Sequence, residues 1–255
     1  MATRSKEKSP RRRKPAAIRL DSAELKAFGT KLRAWYGRNK RDLPWRNTRD
    51  PYHILVSELM LQQTQVSRVM EFYPRFLERF PTLETLAESR ESHVLEAWEG
   101  LGYYARARNL HKLSRAVVRD GAAAWGDSAP DTASAPRATL PAEPASLRRL
   151  PGIGAYTAGA VSSFAFKRRA ALVDTNVARV ITRVFAPRLH PKRARDQKSI
   201  WAITEATLPR TGKATWTHNQ ALMELGALVC TARVKRCGRC PVRTVCRSVQ
   251  RGDEG

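Results

Sequence analysis

Four cysteines lie close together near the end of the chain, and the sequence contains no others. Their spacing is C-x6-C-x2-C-x5-C, formed by Cys230, Cys237, Cys240 and Cys246. Four thiolates on one loop can complete the coordination of one metal centre. Structural zinc usually takes paired short Cys or Cys/His spacings, whereas the wider gaps here suit the larger perimeter of a [4Fe–4S] cluster. The sequence therefore predicts a loop folded around an iron–sulfur cluster, with zinc as the alternative.

Disulfides are the other use of clustered cysteines, and the sequence disfavours them. Nothing in it resembles a secretion signal, and crowded thiols suit metal binding better. No apolar run approaches the roughly 20 residues of a membrane-spanning helix. We therefore expect an intracellular protein, cytoplasmic or associated with the nucleoid, that is a monomer and does not enter a membrane.

The chain is strongly basic. Lysine and arginine number 47 against 23 acidic residues, which gives a net charge of +24 and a pI near 10.9. Such an excess predicts attraction to a polyanion, of which nucleic acid is the commonest. Acidic membrane surfaces are the alternative partner. Double-stranded DNA is the partner that the motifs below favour.

Helical periodicity runs through most of the sequence. Asp21 with Glu24 three residues later predicts a capped helix start, and Asp50 before Pro51 predicts another. Four further helices are predicted after residue 147: 157–166, 176–185, 200–208 and 219–229. We find no run of alternating strand residues and no internal repeat. The predicted fold class is all-α.

Composition also suggests how the chain is divided. Residues 1–20 resemble a disordered basic arm, and 120–145, rich in Ala, Pro, Ser and Asp, resemble a flexible loop. The predicted catalytic core spans 21–249, followed by a tail at 250–255. We expect this core to form two helical lobes, one of about 45–165 and one of 21–44 plus 166–249.

The segment from Leu150 to Gly154, Leu-Pro-Gly-Ile-Gly, indicates a helix-hairpin-helix. Gly152 and Gly154 would allow backbone angles and a close approach that a side chain would block. Amide groups at the start of the second helix could then bind a DNA phosphate, assisted by the helix dipole. The alternative is a turn that only joins two helices.

Two acidic residues are candidates for chemistry. Glu58 lies in a helical segment, 54–61, that is apolar around most of its circumference, so burial would raise its pKa and make it a proton donor. Asp174 follows the apolar run 170–173 and precedes a helix, which predicts a helix N-cap, a cleft carboxylate, or both. The alternative for Glu58 is a buried salt bridge to an arginine such as Arg46.

Two carboxylates in different environments form the pattern expected for cleaving a glycosidic bond. If the leaving group is a DNA base, that base must first be extruded from the helix. Two segments could fill the gap that it leaves, 62–64 (Gln-Gln-Thr) and 100–104 (Gly-Leu-Gly-Tyr-Tyr). Ordinary surface exposure and core packing are their alternative interpretations.

These features resemble the MutY-type adenine DNA glycosylases of the helix-hairpin-helix, iron–sulfur superfamily shared with endonuclease III. The resemblance covers about 22–249, and the matching motifs are 41–46 (RDLPWR), 57–66 (SELMLQQTQV), 98–109 (WEGLGYYARARN), 150–157 (LPGIGAYT) and the cysteine loop. It implies that Glu58 protonates N7 of adenine and that Asp174 stabilises an oxocarbenium ion. It also implies a [4Fe–4S] cofactor on the four cysteines.

The resemblance implies further roles. Tyr156 and Asn176 would support the sugar and the acid, and Arg46 would help to hold the flipped adenine. Gln63 and Tyr103 would intercalate beside the lesion base. The remaining residues expected to contact DNA are Thr64, Leu101, Gly152 and Gly154, with Arg233, Lys235, Arg236 and Arg239 facing phosphates from the cysteine loop.

Tyr156 distinguishes between relatives. Enzymes similar to endonuclease III carry a lysine here that forms a Schiff base with the sugar, so tyrosine implies a monofunctional glycosylase that leaves an abasic site. Thymine-mismatch glycosylases also carry tyrosine here, which leaves thymine opposite guanine as the alternative substrate. A non-catalytic DNA-binding protein is an alternative of another class.

The chain departs from the family pattern in two places. Thr175 stands where many members of the family have glycine. The chain ends nine residues after Cys246, whereas typical members continue into a domain related to the NUDIX hydrolases that recognises 8-oxoguanine.

Overall fold

The structure is a computed structural model that describes residues 18–121 and 139–253. Within these residues the regular secondary structure is helical, and the only strand-like feature is an isolated antiparallel bridge between Cys230 and Lys235. The all-α prediction is therefore confirmed. The helices are α1 (Ser22–Asn39), α2 (Pro51–Met60), α3 (Val66–Arg79), α4 (Leu83–Glu88), α5 (Glu91–Ala97), α6 (Ala105–Asp120), α7 (Pro144–Leu147), α8 (Ala155–Phe164), α9 (Thr175–Phe185), α10 (Ala194–Thr207), α11 (Gly212–Leu228) and α12 (Arg247–Gln250).

The predicted helix starts are confirmed where a side chain caps the backbone. Asp21 accepts hydrogen bonds from the amides of the first turn of α1, and Asp50 does the same for α2, which has Pro51 at its first position. The last two predicted helices begin earlier than expected. Helix α10 starts at Ala194 and α11 at Gly212, where the Thr211 side chain accepts from the Ala214 amide. Their first turns are polar, so apolar periodicity alone did not include them.

The helices share one apolar core, in which α2 is deeply buried. Seven consecutive residues of α2, from 54 to 60, are buried, because α3, α6 and α8 pack around it. Helix α1 packs on α10 and α11, and α11 also contacts α8 and α9. None of the helices in the two described ranges has both the length and the apolarity needed to cross a membrane.

The predicted flexible loop at 120–145 falls mostly outside the described residues, as does most of the predicted arm at 1–20. At the described ends of the loop, α6 extends to Asp120 and α7 begins at Pro144. The division of the core into two lobes remains a prediction.

The predicted helix-hairpin-helix is formed by α7, a glycine turn and α8. Gly152 has a φ of 76°, and a Cβ atom there would lie 2.6 Å from Cβ of Asn109 on α6, so both the backbone and the packing require glycine. The expectation for Gly154 was wrong in this respect. Its φ of −86° is open to any residue, and nothing lies within 4 Å of where its Cβ would be.

Candidate active site

Glu58 and Tyr156 meet where α2 packs against α8. Glu58 is 3% exposed, and the hydroxyl of Tyr156 donates a 2.7 Å hydrogen bond to its Oε2. Burial raises the pKa of Glu58 to about 7, with the Asp174 carboxylate adding to the increase, while the Tyr156 hydrogen bond and the charge of Arg46 oppose it. A carboxylic acid with this pKa can donate a proton at neutral pH. The alternative of a Glu58–Arg46 salt bridge was wrong, because Arg46 pairs with another acid.

Asp174 is the N-cap of α9, as the sequence predicted. Its Oδ1 accepts a 2.6 Å hydrogen bond from the amide of Val177, and its Oδ2 accepts a 3.0 Å bond from Nδ2 of Asn176. Burial raises the pKa of Asp174, while these hydrogen bonds stabilise the ionised form and oppose the shift. Thr175 occupies the first position of α9 and leaves the Asp174–Asn176 bond intact. The carboxylate is thus held in a fixed orientation.

Arg179, which the sequence analysis did not single out, connects Asp174 to the cysteine loop. Its Nη2 donates to Asn176 Oδ1 at 2.6 Å and to the carbonyl of Gly226, and its Nε donates to the carbonyl of Cys230 at 2.8 Å. Because Oδ1 of Asn176 accepts from Arg179, the Asn176 side chain presents its NH2 group to Asp174. The sequence signal that could have identified Arg179 was its position three residues after Asn176 on a predicted helix, which places the two side chains on the same face.

A buried carboxylate, Glu224 on α11, pairs with both arginines of the 41–46 motif. Arg41 binds it through Nε and Nη2, each at 2.9 Å, and Nη2 of Arg46 binds it at 2.8 Å. Although burial raises the pKa of Glu224, the hydrogen bonds from Arg41 and Arg46 outweigh it and lower the value to about 2. Sequence reasoning missed Glu224, although an acid within an otherwise apolar stretch of helix was also the signal that identified Glu58.

All of these groups except Arg179 line one cavity of about 720 Å³. The catalytic candidates Glu58 and Asp174 share it with the following predicted or newly found site residues: Arg46, Gln63, Thr64, Tyr156, Asn176 and Glu224. The structure does not bring Leu101, Tyr103, Gly152 or Gly154 into this lining. Leu101 is 6% exposed and packs in the apolar core, whereas Tyr103 is 59% exposed.

The two segments proposed to fill the gap left by a base have unusual backbones. We call 62–64 the first wedge segment and 100–104 the second. Gln63 has a φ of 57° and Tyr103 a φ of 49°, both in the left-handed region that non-glycine residues rarely adopt. Both side chains are exposed, and Tyr104 of the second segment is exposed as well, so the first segment presents a polar group to solvent and the second presents aromatic groups.

The four cysteines line a second cavity together with apolar residues of α9 and α11. All four are free thiols, and Arg183 on α9 donates to the sulfur of Cys230 at 3.2 Å. Within the described residues, no three His, Cys, Asp or Glu side chains converge closely enough to hold a single metal ion. Of the basic loop residues, Lys235 is bound to Asp253 and Arg236 to the carbonyl of Leu228, and Arg233 and Arg239 are exposed.

Comparison with known proteins defines the family. Residues 56–204, more than half of the chain, match the HhH-GPD superfamily base excision DNA repair proteins. The chain belongs to this superfamily. The matched region includes the second half of α2 with Glu58, the glycine turn, α8 with Tyr156, and α9 with its N-cap Asp174.

Individual relatives are similar over most of this HhH-GPD chain. The adenine DNA glycosylase of Mus musculus is 39% identical over 249 residues, which are 94% of this chain and 45% of that protein. The adenine DNA glycosylase of Mycobacterium tuberculosis is 42% identical over 217 residues, 84% of this chain and 65% of that protein. The chain thus spans less than two thirds of either relative. A solved thermostable thymine-DNA glycosylase is 29% identical with a TM-score of 0.76, covering 90% of this chain and 98% of that one.

Proposed function

We propose that this protein is a monofunctional DNA glycosylase that hydrolyses the N-glycosidic bond of adenine mispaired with 8-oxoguanine or guanine. The observation that carries the proposal is the pair formed by Glu58 and Asp174. The two carboxyl groups line one cavity, and one has a pKa near neutrality while the other is fixed by two hydrogen bonds. A proton donor and an anion on either side of a scissile bond are the requirement for glycoside cleavage.

The chemistry follows from the protonation states of the two groups. Protonated Glu58 gives its proton to N7 of the extruded adenine, and the electron pair of the N-glycosidic bond moves onto the base. The sugar is left as an oxocarbenium-like cation, which the Asp174 carboxylate stabilises. Water then adds to the anomeric carbon and loses a proton to Glu58. The products are free adenine and an abasic site.

Tyr156 supports the assignment as a monofunctional enzyme. Its hydroxyl donates to Glu58 and provides no amine that could form a Schiff base with the sugar. Because the pKa of Tyr156 is raised well above its usual value, by burial and by the nearby carboxylates, it stays a hydrogen-bond donor at any pH relevant to the reaction. We therefore do not expect the protein itself to cleave the DNA strand.

Arg46 supports adenine as the base. It lines the cavity, and a 2.8 Å hydrogen bond to Glu224 holds its guanidinium in place. Adenine displays ring-nitrogen acceptors that a guanidinium N–H could meet. Both relatives described above are named adenine DNA glycosylases. The similarity to a thymine-DNA glycosylase, at lower identity, keeps thymine opposite guanine as the second candidate.

The cysteine loop fits a [4Fe–4S] cluster better than zinc. Cys230, Cys237, Cys240 and Cys246 line a common cavity, and their C-x6-C-x2-C-x5-C spacing is wider than the paired short spacings of most structural zinc sites. A cluster spreads its four thiolate ligands over a larger volume. We assign it a structural role, in which the four cysteines would hold it and the loop would present Arg233 and Arg239 to DNA phosphates.

Duplex DNA is the proposed partner, bound by a monomer in the nucleoid. Gly152 and Gly154 lie just before the exposed start of α8, where amides could meet a phosphate, and the exposed Gln63 and Tyr103 could enter the base stack. The net charge of +24 supports binding to the backbone.

Single-turnover excision tests the proposed function directly. Duplexes with A·8-oxoG, A·G and T·G would be incubated with the protein, with Glu58→Gln, and with Glu96→Gln as a surface control. Alkali would then reveal abasic sites. We expect strand breaks only after alkali, on the adenine duplexes, and a loss of at least about 100-fold in Glu58→Gln alone. Excision of thymine but not adenine would move the assignment to the second candidate, and no excision at all would contradict it.

A further inference from the structure

Arg106, at the start of α6, is a buried arginine that the proposed reaction has not used. It is 8% exposed and lies between the two wedge segments. Its Nη1 donates to four oxygens at the end of α2 and in the first wedge segment: the carbonyls of Leu59 (2.8 Å), Met60 (2.9 Å) and Gln62, and Oγ1 of Thr64 (3.2 Å). Its Nη2 and Nε donate to three carbonyls of the second wedge segment: those of Leu101 (3.1 Å), Gly102 (2.9 Å) and Tyr103 (3.4 Å).

The contacts of Arg106 are related to the backbone strain of the wedge segments. The carbonyl of Gln62 precedes the left-handed residue Gln63, and the carbonyl of Gly102 precedes the left-handed residue Tyr103. One guanidinium therefore binds the peptide unit in front of each left-handed residue. Because such backbones are unfavourable for a non-glycine residue, the surrounding contacts must hold them in place.

Helix capping explains only two of these seven contacts. The carbonyls of Leu59 and Met60 belong to the last turn of α2, where a cation is generally favourable. The second wedge segment has no such helix end, yet it receives the other donors of Arg106. All seven oxygens are neutral, so the buried charge of Arg106 is balanced by dipoles alone. Burying a charge without an ion-pair partner costs stability. The Trp98 ring, 5.4 Å from the guanidinium, adds a cation–π contact.

We propose that Arg106 is a positioning residue that sets the spacing and the backbone conformation of Gln63 and Tyr103, so that both enter the DNA stack together when the target base is extruded. The inference rests on the proposed function, since it assigns the wedge of the same site. A guanidinium is required because its donors form a rigid planar fork that reaches both segments. A lysine at this position has one nitrogen with three donors and could bind one segment only.

The test separates base extrusion from chemistry. Arg106→Lys would be compared with wild type on a duplex with adenine opposite 8-oxoguanine, and on a duplex with adenine opposite an abasic-site analogue, where less pairing must be broken. The control is Arg169→Lys, which also removes arginine bonds to a carbonyl (Pro209) and to Glu205, far from the wedge in sequence and outside the cavity lining. Melting temperature and visible absorbance would show that each variant is folded.

We expect Arg106→Lys to lower the single-turnover rate by about tenfold or more on the paired duplex and clearly less on the duplex without a pairing partner. Arg169→Lys should match wild type on both. Equal losses on the two duplexes, or no loss on either, would overturn the proposal. If Arg106→Lys does not fold, Arg106→Gln replaces it, because glutamine buries no charge and its amide can bind one wedge segment only. It should show the same selective loss on the paired duplex, and equal losses on the two duplexes, or no loss on either, would overturn the proposal.

A second readout keeps this proposal distinguishable from the proposed function. 2-Aminopurine placed beside the target adenine becomes more fluorescent when the stack is opened, whether or not a bond is cleaved. Wild type should increase the signal and Arg106→Lys should increase it less at saturating protein. If wild type opened the stack but released no base, the proposed function would fail while Arg106 could still be judged. Equal fluorescence from both proteins would overturn the role of Arg106.

Discussion

The hydroxyl of Tyr156 lies 2.7 Å from Oε2 of Glu58, and this contact joins the second helix of the hairpin to the buried acid of α2. The hydrogen bond favours the ionised form of Glu58, whereas burial favours the protonated form more strongly. The balance leaves the pKa of Glu58 at about 7, where small changes in its surroundings decide whether it can act as an acid.

Replacing Glu58 by glutamine should stabilise the folded protein at alkaline pH. The pKa of Glu58 is about 7 in the folded state and near 4.5 when exposed, so its ionisation destabilises the fold progressively as pH rises between these values. We expect Glu58→Gln to gain on the order of 3 kcal/mol in the free energy of unfolding above about pH 8, and little below about pH 4.5. Chemical denaturation across this range measures it, with Glu96→Gln as the exposed control. A gain that does not depend on pH would show that Glu58 is not titrating in the fold.

Tyr156→Phe should extend activity to higher pH. Removing the hydroxyl removes a donor to ionised Glu58, so the pKa of the acid should rise further. The single-turnover rate of wild type should fall about tenfold per pH unit above neutrality, and in Tyr156→Phe this decline should begin at a higher pH. The comparison of complete pH profiles is the measurement. A decline at unchanged pH would mean that another group controls it.

Arg179→Gln should slow chemistry without weakening DNA binding. Arg179 fixes the orientation of Asn176, which in turn donates to Asp174, so its loss would let the Asn176 amide rotate away. We expect a fall of about tenfold in the single-turnover rate and a nearly unchanged Kd for product DNA. Arg195→Gln on α10, a solvent-exposed arginine, is the matched control. A rate equal to that of the control would remove Arg179 from the site.

Glu224→Gln should destabilise the protein more than a surface substitution does. It removes the carboxylate shared by Arg41 and Arg46 and leaves two partly buried cations without their anion. Losses of about 3–5 kcal/mol are typical when one partner of a buried ion pair is removed. Thermal melting of Glu224→Gln beside Glu205→Gln, an exposed ion-pair partner of Arg169, provides the comparison. Equal melting temperatures would contradict the structural role of Glu224.

Cys237→Ser should abolish the absorbance at about 400 nm that a [4Fe–4S] cluster gives. The loop 230–246 should also become sensitive to protease, because the thiolates and the cluster would no longer hold it. Thr244→Val, in the same loop, bears no thiol and should retain both properties. A colourless wild-type protein that binds one equivalent of zinc would establish the alternative.

The sequence was sufficient for the features that depend on local chemistry. Helix caps at Asp21, Asp50 and Asp174 were predicted, because a short acidic side chain just before a helix can accept hydrogen bonds from the backbone amides of its first turn. Burial of Glu58 was predicted from the apolar surroundings of one helix, and its pKa of about 7 follows from that burial. The need for glycine at position 152 was recognised from the turn, and the family from the order of its motifs.

Partners far apart in the chain were decided only by the tertiary structure. Arg46 binds Glu224, 178 residues away, rather than Glu58, and nothing in the local pattern of either residue distinguishes the two pairings. Arg106 reaches both wedge segments, and Arg179 reaches Cys230, because helices distant in sequence pack side by side. Helical periodicity specifies which face of a helix is buried. Which neighbour that face meets depends on how all the helices pack together, and this packing assembles the site.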